Sequence, residues 1–238
     1  MNNHMMKTLY FLLAFCSINN VIAQFTFTTP IIDEAYITTS SERYTNITEY
    51  FPDDVLGSPY VEDVFQPGEI YEDNKLISKK LYFRYNAAED DIEIKKTMGD
   101  DDSKIMILMK TPSIYLKIAG NLIFFDESAN GFFLIFFLGN TFNLYKKLNK
   151  KLRPARRARN SFEKNVLAKY MDETMYFLVT KEGDFYKIPA KRKKRLQFFS
   201  SKKSDIEKYV TKYDLDINDE DILIKLIRYF DSFEDTSL

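Results

Sequence analysis

Apolar side chains recur at every second position through the middle of this chain of 238 residues. In Leu81-Tyr82-Phe83-Arg84-Tyr85-Asn86 the residues Leu81, Phe83 and Tyr85 fall on one face, and after a connection over 87–91 Ile92 and Ile94 begin another strand. Residues 105–109, 114–118 and 122–125 carry the same pattern, with Gly120-Asn121 as the tight turn between the last two. Leu56-Gly57-Ser58-Pro59-Tyr60 and Phe65-Gln66-Pro67-Gly68 read as turns, because proline presets one turn dihedral and glycine accepts the positive one. The run Phe132-Phe133-Leu134-Ile135-Phe136-Phe137-Leu138 is apolar throughout and closes on Gly139-Asn140. Its length suits a strand buried on both faces and is too short to cross a bilayer; lining a site for an apolar ligand, or inserting at a membrane surface, is the alternative use. Residues 175–179 and 185–188, joined by Lys181-Glu182-Gly183-Asp184, form a late hairpin.

After Pro189 the period becomes helical. Lys191 to Phe199 suits a short basic helix, and Ser204-Asp205-Ile206-Glu207 spells a capping box ahead of Ile206, Tyr209, Val210 and Tyr213 at i, i+3, i+4 and i+7. Asn218 is placed to cap a last helix carrying Leu223, Leu226, Ile227 and Phe230, with Asp219, Glu220 and Asp221 in the first turn, where the helix dipole favours acids. The fold class predicted is α+β: an antiparallel β-sheet body followed by two or three C-terminal helices. The β-rich domain covers 56–190, and the helical segment over 191–238 packs on it.

The first residues carry an address. Lys7 supplies a positive start, Leu9 to Phe15 an apolar stretch, and Val21-Ile22-Ala23 a small-residue cleavage signature, so residues 1–23 read as a secretory signal peptide cleaved after Ala23. Phe15 stands where a lipoprotein anchored through Cys16 would need a small residue. Residues 24–55 are Thr-rich and weakly patterned, and read as a flexible N-terminal extension or an edge segment. No uninterrupted apolar run approaches the ~20 residues of a spanning helix, so no transmembrane helix is expected after cleavage.

Composition sharpens this picture through what cleavage removes. His4 and Cys16 are the chain's lone histidine and cysteine, and it has no Trp. A mature chain starting at Gln24 has no Ser-His-Asp or Cys-His nucleophile system, no zinc site of the usual kind and no thiol redox couple. Carboxylate acid–base chemistry, a Lys or Tyr base, or an oxygen-liganded cation remain. Asp214-Leu215-Asp216-Ile217-Asn218 opens like a Ca²⁺ loop, yet Asp219 replaces the turn glycine and Lys225 the closing Glu, so it reads as a helix connector. Asp100-Asp101-Asp102 reads as a charged hairpin tip. No metal and no cofactor is expected.

Charge is segregated along the chain. Residues 24–103 hold 18 acidic and 7 basic residues, 104–213 hold 9 acidic and 24 basic, and 214–238 hold 8 acidic and 2 basic. The basic middle concentrates in two clusters: Lys146, Lys147, Lys150, Lys151, Arg153, Arg156, Arg157 and Arg159, then Lys191, Arg192, Lys193, Lys194 and Arg195. Packed onto one face, so much like charge demands compensation, either by the acidic 24–103 region or by an external anion. With export no nucleic-acid partner is expected, and anionic lipid, lipopolysaccharide or acidic glycan are the expected ones. A second candidate site is the polar group Arg84, Tyr85 and Asn86, suited to a carboxylate or a sugar.

Several stretches carry a resemblance. Phe65-Gln66-Pro67-Gly68-Glu69-Ile70-Tyr71, Phe83-Arg84-Tyr85-Asn86 with Asp91-Ile92-Glu93, Leu144-Tyr145-Lys146-Lys147, Pro154-Ala155, the Lys-rich stretch after Pro189 and the closing residues 221–230 resemble an uncharacterised secreted family common in Bacteroidota bacteria. The resemblance spans most of 56–231 and implies export, a sheet-rich body and a helical end. It transfers no catalytic residue. The block 132–138 departs from it in being more uniformly apolar. The function expected is that of an exported, non-enzymatic cell-envelope protein, periplasmic or extracellular, that acts by binding an anionic envelope component. The alternatives are a carboxylate-dependent hydrolase of an envelope glycan and a carrier or sensor of an apolar ligand.

Overall fold

The structure, a computed structural model, describes residues 37–39 and 55–233. Fourteen strands and three helices are seen among them, and the fold is α+β. Eleven strands form one sheet, antiparallel at every pairing, in the order β1-β6-β5-β4-β3-β7-β8-β9-β10-β13-β14. Their ranges are β1 Ile37–Thr39, β3 Gln66–Glu72, β4 Lys75–Asn86, β5 Asp91–Lys95, β6 Met106–Leu108, β7 Ile114–Ile118, β8 Asn121–Asp126, β9 Gly131–Leu138, β10 Phe142–Lys147, β13 Met175–Thr180 and β14 Phe185–Ile188. A second, three-stranded sheet runs β11 (Lys150–Arg153), β12 (Ala168–Asp172) and β2 (Val55–Leu56), the last pair parallel. Three helices follow: α1 Arg192–Phe198, α2 Lys203–Lys212 and α3 Glu220–Asp231.

Alternation places the strands as the sequence predicts. Leu81, Phe83 and Tyr85 of β4 are buried together with Ile92 and Ile94 of β5 in a first core that extends over β7, β8 and β9. Two strands that composition disguised join the sheet. Gln66-Pro67-Gly68, read as a turn, begins β3, which pairs with both β4 and β7 and carries a bulge beyond Gly68. In β10 the alternating Phe142 and Leu144 are buried although the strand ends in two lysines. The tight turn between β7 and β8 lies one residue earlier than Gly120-Asn121. Ala119 (φ 48°) and Gly120 (φ 83°) are its central pair, and Asn121 starts β8 opposite Ile118. Within the stretch expected to be an extension or edge segment, residues 37–39 form β1 beside β6, and Val55 begins β2. The rest of 24–54, the stretch 1–23 that reads as a signal peptide, and the end of the helical segment lie outside the described residues.

The second core lies between the helices and β10, β13 and β14. Leu223, Leu226, Ile227 and Phe230 of α3 are buried there with Ile206 and Val210 of α2, as their spacing requires. The caps differ from those the sequence predicts. Ser204 falls inside α2, whose N-cap Lys202 makes no side-chain capping bond, while Asp219, not Asn218, caps α3 by accepting from the Ile222 N–H at 3.0 Å.

Both ends of α3 are tied to the sheet by carboxylates. Glu220 accepts from Tyr176 Oη at 2.5 Å and pairs with Lys146 Nζ at 2.6 Å. Asp231 accepts from the backbone N–H groups of Asn140, Thr141 and Phe142 at 2.6, 2.8 and 2.8 Å, holding the β9–β10 turn. Gly139 makes room for this clamp, since a Cβ there would collide with the Asp231 carboxylate and the Phe142 carbonyl.

Candidate functional site

The basic middle of the chain divides into side chains used inside the fold and side chains left in solvent. Lys147 Nζ lies 2.5 Å from Asp90, whose carboxylate also accepts from Tyr85 Oη at 2.5 Å and from the Phe132 N–H. Burial lowers the Lys147 pKa and raises that of Tyr85. Lys146 is taken by Glu220, and Lys150 by Asp172 at 2.8 Å. Arg195 is 5% exposed and donates to the carbonyls of Pro189 and Ile217, fastening α1 to the segment before α3. These four therefore leave the basic face that the sequence predicts. Asp90 alone among their partners comes from the acidic 24–103 region.

The other nine, Lys151, Arg153, Arg156, Arg157, Arg159, Lys191, Arg192, Lys193 and Lys194, are exposed. Five of them stand on a protruding hairpin. β11 and β12 pair from Lys150–Asp172 to Arg153–Lys169, and an isolated bridge between Arg156 and Val166, with two N–H···O bonds of 2.8 Å, carries the ladder outward. The tip is built on an Asx turn: Asn160 Oδ1 accepts from the N–H groups of Phe162 and Glu163, and Asn165 Oδ1 accepts from that of Ala158. Between residues 150 and 172 eight basic side chains face two acidic ones. Asp172 pairs with Lys150, and Glu163 accepts from the Arg159 backbone N–H, so neither neutralises an exposed arginine head.

Topology brings the second basic stretch to the same end of the sheet. Lys146 is opposite Tyr176, and Tyr176 opposite Ile188, so the chain leaves β10 for the hairpin and β14 for Lys191 from neighbouring strand ends. The hairpin escaped sequence reasoning because Lys150-Lys151-Leu152-Arg153 has little strand character. A usable signal was Phe162, a lone large apolar residue in a polar turn.

The polar group Arg84, Tyr85 and Asn86 does not converge. Strand alternation turns Tyr85 into the first core and Arg84 to the opposite face, while Asn86 Oδ1 accepts from the Ala88 and Glu89 N–H groups and shapes the β4–β5 turn. Arg84 instead forks onto Oε2 of its cross-strand partner Glu93 at 2.9 and 2.7 Å. Its guanidinium carbon lies 3.8 Å from the centre of the Tyr60 ring and 4.4 Å from that of Phe65. The outer face of β5 thus carries three ion pairs in succession: Asp91 with Lys110 (3.1 Å), Glu93 with Arg84 (2.7 Å) and Lys95 with Asp102 (2.7 Å). Glu93 is fully buried, and its Oε1 has no hydrogen-bond partner. Burial pushes its carboxyl up to about 8, with the charge on Asp102 adding to the rise and Lys95 opposing it. A carboxyl with this proton affinity suits a general acid, but it is fully buried, with Tyr60, Phe65 and the Asp63 carbonyl packed on its partner Arg84.

The three carboxylates 100–102 serve separate ends. Asp100 accepts from the Thr97 N–H and hydroxyl, which lower its pKa; Asp101 caps a 3₁₀ turn at 102–104; Asp102 meets Lys95. Asp216 accepts from the nearby Asn218 N–H within the helix connector. Among the described residues no group of three or more His, Cys, Asp or Glu is placed to hold a metal ion.

Phe132, Phe133 and Leu134 are buried, and Phe136 touches both cores, so the apolar block is mainly interior; Leu138 is 60% exposed. Leu134 also lines a cavity of about 150 Å³ with Val61, Val64, Phe83, Tyr85 and Ile123. Such a volume holds a benzene-sized group. No described helix is long and apolar enough to cross a membrane. No family model, curated protein or solved structure matches the chain.

Proposed function

We propose that this protein is an exported, non-enzymatic binding module of the cell envelope that engages an anionic envelope component through the hairpin 150–172, assisted by Lys191 to Lys194. The observation that carries this reading is the exposure of Arg153, Arg156, Arg157 and Arg159 with no ion-pair partner among the described residues. A protruding unpaired cluster attracts anions, and its binding weakens as salt shortens the screening length from ~10 Å at 0.1 M to ~3 Å at 1 M.

The test measures binding to anionic phospholipid vesicles, lipopolysaccharide and an acidic polysaccharide across a salt series. Wild type is expected to bind at least one of them salt-sensitively. The variant Arg153→Gln/Arg156→Gln/Arg157→Gln/Arg159→Gln is expected to keep its melting temperature and lose most of that binding. Absence of salt-sensitive binding to all three overturns the reading. Cleavage after Ala23 is tested separately by intact mass: a mature N-terminus at Gln24 supports it, and exported protein retaining Cys16 overturns it.

A further inference from the structure

We infer that the hairpin tip is an apolar anchor that enters an anionic phospholipid bilayer at the headgroup level, with Phe162 as the inserted side chain and the surrounding arginines and lysines on lipid phosphates. This rests on the proposed binding of an envelope anion and names which one.

Phe162 is 97% exposed, the most exposed of the large apolar residues in the described chain. Isolated exposed apolar residues are ordinary on protein surfaces. This one differs in its setting. It sits on a hydrogen-bonded tip rather than a loose loop, because Asn160 and Asn165 fix the backbone on either side. Arg156, Arg157, Arg159 and Lys164, all exposed, flank it in the same hairpin end.

The apolar character also continues down one face of the hairpin. Lys151 is the direct partner of Met171, Arg153 of Lys169, and Lys169 of Leu56 on the neighbouring strand; direct partners share a face, as does Leu167 at the alternate position. All six are exposed, Leu56, Leu167 and Met171 at 50, 43 and 41%. On the opposite face Ala168 is buried and Leu152 and Tyr170 are half-buried, so the mixture of cations and apolar groups is the outward face of the pair.

A surface that interleaves apolar tips with long cationic side chains matches the bilayer interface, where acyl chains lie just below a layer of phosphates. The aliphatic stems of Lys and Arg can follow the apolar groups inward while their heads remain at the phosphates. A polyanionic glycan satisfies the charges but has no hydrocarbon layer to receive Phe162.

The absence of tryptophan from the sequence permits a clean test. In full-length protein, Phe162→Trp introduces a single reporter at the tip. Its emission is expected to shift to the blue when phosphatidylglycerol-containing vesicles are added, and to stay unchanged with pure phosphatidylcholine. In co-sedimentation, Phe162→Ser should weaken vesicle binding roughly tenfold with the salt dependence retained. Each of Arg156→Gln and Arg157→Gln should weaken it roughly fivefold and flatten that dependence. All variants carry the same N-terminal residues, so any contribution of that region cancels.

Vesicle binding with an unshifted emission and an unaffected Phe162→Ser variant overturns insertion. Binding to acidic polysaccharide or lipopolysaccharide but not to phospholipid overturns this inference and leaves the envelope-anion reading standing. Binding to none of them removes both.

Discussion

Two parts of this protein are dense in charge and treat it in opposite ways. On β5 the side chains Asp91, Glu93 and Lys95 are each under 10% exposed, and each has an oppositely charged partner. On the hairpin 150–172 the arginines are exposed and have none among the described residues. Removing ions from water costs several kcal/mol each, so a buried charge persists only with a partner; an exposed charge is held in place by nothing but its backbone. Pairing therefore separates the charges that maintain the fold from those available to a ligand. Basic clustering along the chain does not make this separation, since Lys150 belongs to the first kind and Lys151 to the second.

The sharpest way to break the contrast is to remove one member of the buried ladder. Above about pH 8, where Glu93 is ionised, Arg84→Met leaves that charge buried opposite an apolar side chain and is expected to cost roughly 3–5 kcal/mol in urea denaturation. Adding Glu93→Leu, so that both partners become apolar, should recover most of the loss. If the double variant is as unstable as the single one, packing under Tyr60 and Phe65, not the charge, dominates that site.

Asp231→Ala tests a buried carboxylate outside the ladder. It strips the acceptor from three backbone donors at the β9–β10 turn and is expected to cost about 2–3 kcal/mol. Hydrogen exchange should rise at Asn140, Thr141 and Phe142 before it rises elsewhere.

A pH series probes the same contrast without changing the main packing. The folded state holds the Glu93 proton more tightly than the unfolded chain does, so this group's contribution to stability falls as pH rises from about 4.5 to about 8 and levels off beyond. Between pH 5 and pH 8 wild type is expected to lose roughly 1–3 kcal/mol more than Glu93→Gln does. Equal losses in the two proteins would show that Glu93 is ionised throughout, held so by the Arg84 fork.

The smallest effect belongs to the hairpin. Arg156→Gln/Arg157→Gln is expected to move stability by no more than about 0.5 kcal/mol. A larger loss would show that these arginines have partners in the fold and would return them to the first class of charges.

Much of the fold was legible because its signals are local. Period-two alternation in Leu81, Phe83 and Tyr85 and helical spacing in Leu223, Leu226, Ile227 and Phe230 follow from backbone geometry alone, and both sets are buried as expected. Elements failed to show where composition opposed the backbone. Pro67-Gly68 looks like a turn, yet lies in a strand whose pairing with β7 starts only at Gly68, which leaves Pro67 without a partner on that side; a Cβ at residue 68 would clash with Phe83 and the Lys117 carbonyl, so that glycine serves close packing. The lysines ending β10 mask Phe142 and Leu144. The capping box at Ser204 is a correct pattern in the wrong register, because the preceding 3₁₀ turn at 200–202 runs directly into α2.

The candidate site was half legible. Local features of the chain carry the basic stretches 146–159 and 191–195, the antiparallel sheet followed by helices, and Phe162 within a polar stretch. Which of those cations lack a partner among the described residues follows from tertiary pairing. Lys146 finds Glu220, Lys147 finds Asp90 and Arg195 finds the carbonyl of Ile217 across long stretches of chain. The same holds for Arg84 and Tyr85, adjacent in sequence and sent to opposite faces of β4. Charge is a property of the residue, whereas its energy depends on the distance to a partner and the water between them, and both are set by non-local pairing.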